Sequence, residues 1–356
     1  MTRERDHAVD IMKGVGILLV ILGHIDSTPL ACKVWLYSFH MPLFFACSGL
    51  VFSVDRYDSF LKFAKARVKS VLIPLVCLGL ALALLVNLRE QILQVANGGE
   101  WSFKWGIKRI LASLLLGHRL HRHYFSLWFL YVLFFGELAF YPIVKKGRDN
   151  PLLYAGLMVL GIAAQYLVSR HVRGWYWSLD LLPSSLAFLS MGYLLRLMRQ
   201  KWKDRRLDRL LPVLLACHLL FCALNYRVCV YMDLYAARIG NPVYCLAAAF
   251  LGVFSMLILA EKLERLKLTE YFGRNTLVVY AFQNAFSIPI AMDTANTLAK
   301  RAAIFDDAVF RWIVVVLAAC LVSCVLIEII NRCFPWLLGK RRGAGKIKSI
   351  RESANP

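Results

Sequence analysis

Ten stretches of predominantly apolar residues dictate what this chain can become, because each is long enough to cross a hydrocarbon layer of roughly 30 Å as a helix of about 20 residues. They fall at about 8–26, 34–54, 68–88, 126–144, 150–169, 177–198, 210–226, 240–260, 275–292 and 309–334. The runs are continuous and do not alternate, which argues against the strands of a closed barrel. Helices remain, since they satisfy their own backbone polar groups in lipid. The expected fold is an all-α integral membrane protein of about ten transmembrane helices. A shorter stretch at 107–116, "IKRILASLLL", is basic at one end and too short to span, and reads as an interfacial or re-entrant helix.

Charge then sets orientation. The 356-residue chain carries a formal net charge of +21 although only 18% of its residues are charged and 59% are hydrophobic. In a soluble protein that excess would point to nucleic acid. Here the Lys and Arg residues fall between apolar runs, so the basicity reads as topology and no nucleic-acid partner is expected. Alternate connections hold 27 against 14 Lys and Arg residues, which puts both termini on the cytoplasmic side. The 89–125 connection holds six of the 14, and those charges would serve a ligand if the connection dips back into the membrane. Residues 1–338 read as one membrane domain. Residues 339–356 read as a basic cytoplasmic tail, disordered and held near anionic lipid. The start of the chain has the basic flank and apolar core of a signal peptide, but no A-x-A cleavage pattern follows, so it is read as a retained helix. Seven of ten cysteines lie inside apolar runs with no CxxC pair, and they read as small buried hydrophobes.

Within the first run, "KGVGILLVILGH" puts Lys13 and His24 eleven residues apart. At about 100° and 1.5 Å per residue they share one helix face, offset by only about 20°, and lie about 16 Å apart along the axis. Asp10 sits three residues before Lys13, within reach of an ion pair that lowers the cost of an ammonium at the membrane boundary. The second run contains "YSFHMPLFFACSGLVFS", in which Pro42 and Gly49 predict a local kink and a cavity. If the two runs form a hairpin, His40 comes to the depth of His24, and two imidazoles on adjacent helices make a candidate acid/base pair. Taken singly, either histidine could be a hydrogen-bonded packing residue and Lys13 could snorkel to the interface. The aligned Asp10, Lys13 and His24, with His40, favour a site. No third ligand has metal-binding spacing, so no metal is expected.

These residues and their order along the chain are familiar. "VDIMKGVGILLVILGH", "SFHMPLFFACSGLVF", "KSVLIPL", "SLWFLYVLF" and "FGRNTLVVYAFQN" resemble the integral-membrane acyltransferase family 3, most closely its fucose 4-O-acetylase-like branch. The resemblance implies a ten-span enzyme of the bacterial cytoplasmic membrane that moves an acyl group, commonly acetyl from acetyl-CoA, to a hydroxyl of a carbohydrate or lipid-linked glycan. It also implies that the basic residue and histidine of the first helix, matched by Lys13 and His24, are required. His40 matches the second-helix histidine and Trp128 lies in the LWFL motif. Many relatives carry a histidine after "NTL" in the ninth span where this chain has Gln283, so a proton-transfer role there does not carry over.

On that reading His24 is the base that takes the acceptor's proton. Lys13 attracts the CoA phosphates or orients the pantetheine arm, and Asp10 holds Lys13. His40 donates to the tetrahedral oxyanion or tunes His24. Arg67 and Lys69 are expected to touch CoA with Trp128, joined by Arg119 and Arg122 if their loop re-enters. A covalent relay and longer acyl donors stay open, as does the rival reading of a multi-span transporter of a small polar or glycan substrate.

Overall fold

The computed structural model describes residues 6–101, 127–172, 174–202, 207–263, 265–299 and 307–339. The 107–116 segment, Arg119, Arg122 and the tail beyond Gly339 lie outside the described residues. Helix order is α1 (His7–His24), α2 (Leu30–Tyr37), α3 (His40–Val51), α4 (Phe60–Arg67), α5 (Ile73–Ala96), α6 (Trp128–Gly147) and α7 (Pro151–His171). It continues with α8 (Leu182–Trp202), α9 (Leu211–Tyr226), α10 (Pro242–Lys262), α11 (Lys267–Arg274), α12 (Thr276–Phe282), α13 (Ile288–Ala299) and α14 (Ala308–Cys333). The described residues contain no β-strand, only an isolated bridge between Asp233 and Arg238. Nine helical runs among them are long and apolar enough to cross a membrane. The chain is an all-α integral membrane protein.

Three runs depart from ten plain cylinders, each for a local reason. The second breaks at Ser38–Phe39 into α2 and α3, so the irregularity precedes Pro42. The proline sits in the first turn of α3, where its missing N–H costs no helical bond. The third starts earlier than its apolar core, and α4 joins α5 through the π-turn Val68–Leu72 to give one run over Phe60–Ala96. The ninth expected span, 275–292, is α12 and α13 joined by the π-turn Gln283–Ser287. Its Gln283 and Asn284 dilute its apolar character, as functional π-turns often do.

Burial sorts the helices as a membrane interior requires, with polar side chains turned toward other helices. In the apolar window of α1, 67% of residues are buried, against 11% for α9, which turns its leucines outward to lipid. α1 packs against α3, α10 and α11, while α3 lies along α8. Both contacts depend on absent side chains. A Cβ at Gly14 would overlap the Thr269 carbonyl and one at Gly273 the Asp10 carbonyl, locking α1 on α11. At the α3–α8 crossing, Gly49 faces Leu189 and Gly192 faces Ala46 in the same way, the close approach that small residues permit in lipid.

Ion pairs tie the N-terminal rim. Arg199 of α8 reaches both Asp6 and Glu261 at 2.5 Å, and Glu270 of α11 receives His7 at 3.1 Å and Arg274 at 2.8 Å. At the opposite rim the α9–α10 connection is folded inward, burying Met232, Leu234, Ala237 and Ile239. Asn225 fixes it: its side-chain amide donates to the Ile239 carbonyl at 3.1 Å, and its oxygen accepts from Asn241 N at 2.9 Å.

Replacing Gly192 by Val should force α3 off α8 and cost about 3 kcal/mol or abolish folding. Gly156→Ala, where an added Cβ meets nothing within 4 Å, should change stability by no more than about 1 kcal/mol. Thermal unfolding of the detergent-purified variants checks both, and equal effects would contradict the packing described.

Candidate active site

His24 ends α1 and His40 begins α3, and both are anchored alike. Each Nδ1 lies 2.7 Å from the carbonyl four residues earlier, Val20 for His24 and Leu36 for His40. A carbonyl only accepts, so Nδ1 carries the proton in each ring and Nε2 is left as a lone pair. The Tyr37 hydroxyl donates to Gly23 O at 3.4 Å, tying α2 to the end of α1, and the Tyr37 ring meets the His40 ring edge-on at 4.8 Å.

Both imidazoles line one cavity of about 260 Å³. His24 presents an exposed face to it, whereas His40 is only 2% exposed. The same walls bring in Tyr37, Trp128, Asp233, Tyr235, Tyr280, Gln283 and Asn284. Aromatic faces, one carboxylate and two carboxamides thus surround the histidines. Asp233 is oriented by its own turn: its Oδ1 accepts from Ala236 N at 3.3 Å and its Oδ2 pairs with Arg238 at 3.3 Å. The Gln283 carboxamide lies 3.5 Å from His24 Nδ1 and is fully buried. The amide nitrogen is the atom at that distance and the carboxamide oxygen has no partner, so turning the amide over would set the oxygen against the Nδ1 donor beside the Val20 carbonyl.

Lys13 lines a second cavity, of about 250 Å³, toward the N-terminal rim. Its walls are mostly apolar, with the hydroxyls of Ser48, Ser70 and Thr276, and Lys13 is the one charged side chain among its described lining residues. Met41 and Tyr280 line both cavities. The two spaces therefore adjoin at this pair, which forms a wall common to both, with an ammonium on one side and two imidazoles on the other.

The remaining expected site residues are distributed differently. Asp10, expected to hold Lys13, faces Arg274 at 3.4 Å, a partner 264 residues away. Arg67, expected at CoA, is held by buried Glu137 of α6 at 3.2 and 3.3 Å. Lys69 is exposed on the π-turn whose Ser70 and Val71 line the Lys13 cavity. Trp128, grouped with the donor in the sequence, lines the histidine cavity and packs its ring 6.2 Å from Tyr235. Asp233, Tyr235, Tyr280 and Asn284 were missed. Asp233 and Tyr235 sit in a connection that reads as an ordinary loop, and Tyr280 in an apolar run that reads as core. Among the described residues, no group of three or more His, Cys, Asp or Glu is placed to hold a metal ion, and all ten cysteines are free.

Glu137→Ala should strip the half-buried Arg67 guanidinium of its counter-charge and destabilise by about 2 kcal/mol. An Arg67→Met/Glu137→Leu double variant should lose far less, because neither charge is stranded. Chemical denaturation of wild type and both variants decides this, and a double variant that loses as much as Glu137→Ala or more would refute the pairing.

In comparison with known proteins, a family model described as an acyltransferase domain matches residues 6–329. No curated protein and no solved structure matches the chain.

Proposed function

The chain belongs to acyltransferase family 3 and is a multi-pass membrane acyltransferase, and from that premise we propose that it transfers acetyl from acetyl-CoA to a hydroxyl of a carbohydrate. The observation that carries this reading is the meeting of the two cavities at Met41 and Tyr280, with Lys13 in one and the His24–His40 pair in the other. An acyl transferase has to present a thioester and a hydroxyl to each other from separate binding spaces, in a near-attack geometry.

The Lys13 cavity suits the donor. Its apolar walls and scattered hydroxyls match an arm of methylene and amide groups, and Lys13 supplies a positive charge for a phosphate or an amide carbonyl. Lys69, exposed beside it, is available to the anionic nucleotide. The histidine cavity suits a carbohydrate. Trp128 and Tyr235 offer faces for sugar C–H groups, while Asp233 and Asn284 offer hydrogen bonds to hydroxyls, as in sites where a few polar groups fix orientation among aromatic walls. The fucose 4-O-acetylase-like branch, and a lipid-linked or cell-surface glycan as acceptor, agree with that lining.

In the reaction His24 Nε2 takes the acceptor's hydroxyl proton as oxygen attacks the thioester carbonyl, forming the C–O bond and a tetrahedral oxyanion. Collapse breaks the C–S bond, and the imidazolium returns the proton to the departing thiolate. The Val20 carbonyl and Gln283 orient the ring for both transfers, and Gln283 thus holds the base without relaying its proton. On this reading the N-terminal rim and its donor cavity face the cytoplasmic side of a bacterial inner membrane, an orientation that the Lys and Arg bias supports.

The test uses detergent-purified protein, radiolabelled acetyl-CoA and a crude lipid-linked glycan fraction. Wild type should transfer label to glycan, His24→Ala should lose about 10²–10⁴-fold in kcat, and Lys13→Ala should raise the donor KM about tenfold. Folded wild-type protein that binds the acceptor but never consumes the thioester would overturn the reading in favour of a carrier.

A further inference from the structure

A thioester delivered through the Lys13 cavity and attacked from the His24 cavity has its carbonyl where the two spaces meet. The residues common to both are Met41 and Tyr280, and of these Tyr280 alone carries a hydrogen-bond donor. Its ring is 8% exposed. Its hydroxyl accepts from the backbone N–H of Phe129 at 3.3 Å, in the first turn of α6. A hydroxyl engaged as an acceptor keeps its own proton to donate, and donates it more strongly for being polarised by the first bond. The positive end of the α6 dipole lies beside it.

The other candidate for this duty fails on its tautomer. His40 Nδ1–H is committed to the Leu36 carbonyl, so its Nε2 is an acceptor and cannot donate to an oxyanion while the ring is neutral. Gln283 belongs to the His24 cavity alone and faces His24.

We infer that Tyr280 is a catalytic residue that stabilises the oxyanion of the acyl-transfer intermediate through its hydroxyl. The inference rests on the acyl-transfer reading above. As the acceptor oxygen bonds to the thioester carbon, the carbonyl π electrons move to oxygen and the Tyr280 O–H donates to it. When the C–S bond breaks, the carbonyl re-forms and the Tyr280 bond weakens. The proton traffic stays with His24.

The experiment compares wild type, Tyr280→Phe, Tyr166→Phe and a protein carrying 3-fluorotyrosine at 280, with His24→Ala as reference. Tyr280→Phe keeps the ring and should lower kcat about 100-fold. Affinity for a non-reactive thioether analogue of acetyl-CoA should stay within about threefold. Tyr166→Phe, the same change at a tyrosine of α7 that lines neither cavity, should keep kcat within about threefold. Fluorotyrosine retains the bond to Phe129 N–H with a more acidic hydroxyl and should raise kcat, which covers the case in which Tyr280→Phe does not fold. A wild-type kcat in Tyr280→Phe, a kcat loss matched by lost donor affinity, or an unchanged kcat with fluorotyrosine would each overturn the assignment. Failure of the acyl-transfer reading would look different, since wild type itself would then transfer no label.

Discussion

Each cavity histidine commits its Nδ1 proton to a carbonyl of the preceding turn, at 2.7 Å in both cases, and the chemistry of the site follows from that bond. It fixes the tautomer, turns the Nε2 lone pair away from the helix backbone, and removes the freedom of the ring to flip. A neutral base results without any carboxylate partner buried in the bilayer, where an unbalanced charge is costly. The same bond makes His40 an acceptor at Nε2, so under the proposed acyl transfer the charge on the substrate oxygen falls to another group, the part we assign to the Tyr280 hydroxyl.

The packing of the bundle sets where the two histidines stand. Gly14 and Gly273 let α1 approach α11, and Gly49 and Gly192 let α3 approach α8, so His24 and His40 are set by contacts between backbones that have no side-chain slack. Ion pairs from Arg199 and Arg274 hold the N-terminal rim, while Asn225 and the Asp233–Arg238 turn pin the opposite rim over the histidine cavity. Between the rims the polar groups of the site face inward, and the outward surfaces of α7, α9 and α14 are left to leucine, valine and isoleucine.

What the sequence made legible follows from the same physics. Lipid demands continuous apolar helices, so the type of the elements and nine of the ten expected runs could be read directly, and a single helix's periodicity put Lys13 and His24 on one face, where each now lines a cavity. Periodicity is silent about partners on other helices. Asp10 looked like the mate of Lys13 because they are neighbours in one turn, whereas its carboxylate meets Arg274, 264 residues on. Arg67 looked available until α6 brought Glu137 beside it. Asp233 and Tyr280 gave no local signal at all: their roles exist only once a loop folds inward and two cavities share a wall. The break at Ser38–Phe39 was anticipated as a kink but misplaced, since Pro42 marks where a helix can begin as readily as where one bends.

On the proposed reading the acyl group crosses from a donor cavity on the cytoplasmic side to an acceptor cavity on the other. Sealed right-side-out membrane vesicles loaded with radiolabelled acetyl-CoA test it most directly, with an impermeant esterase outside to release any label that reaches exposed glycan. Lumenal acetyl-CoA should label glycan accessible to the external esterase, and acetyl-CoA added only outside should not. Labelling from external acetyl-CoA, or label accessible only after the vesicles are opened, would contradict it.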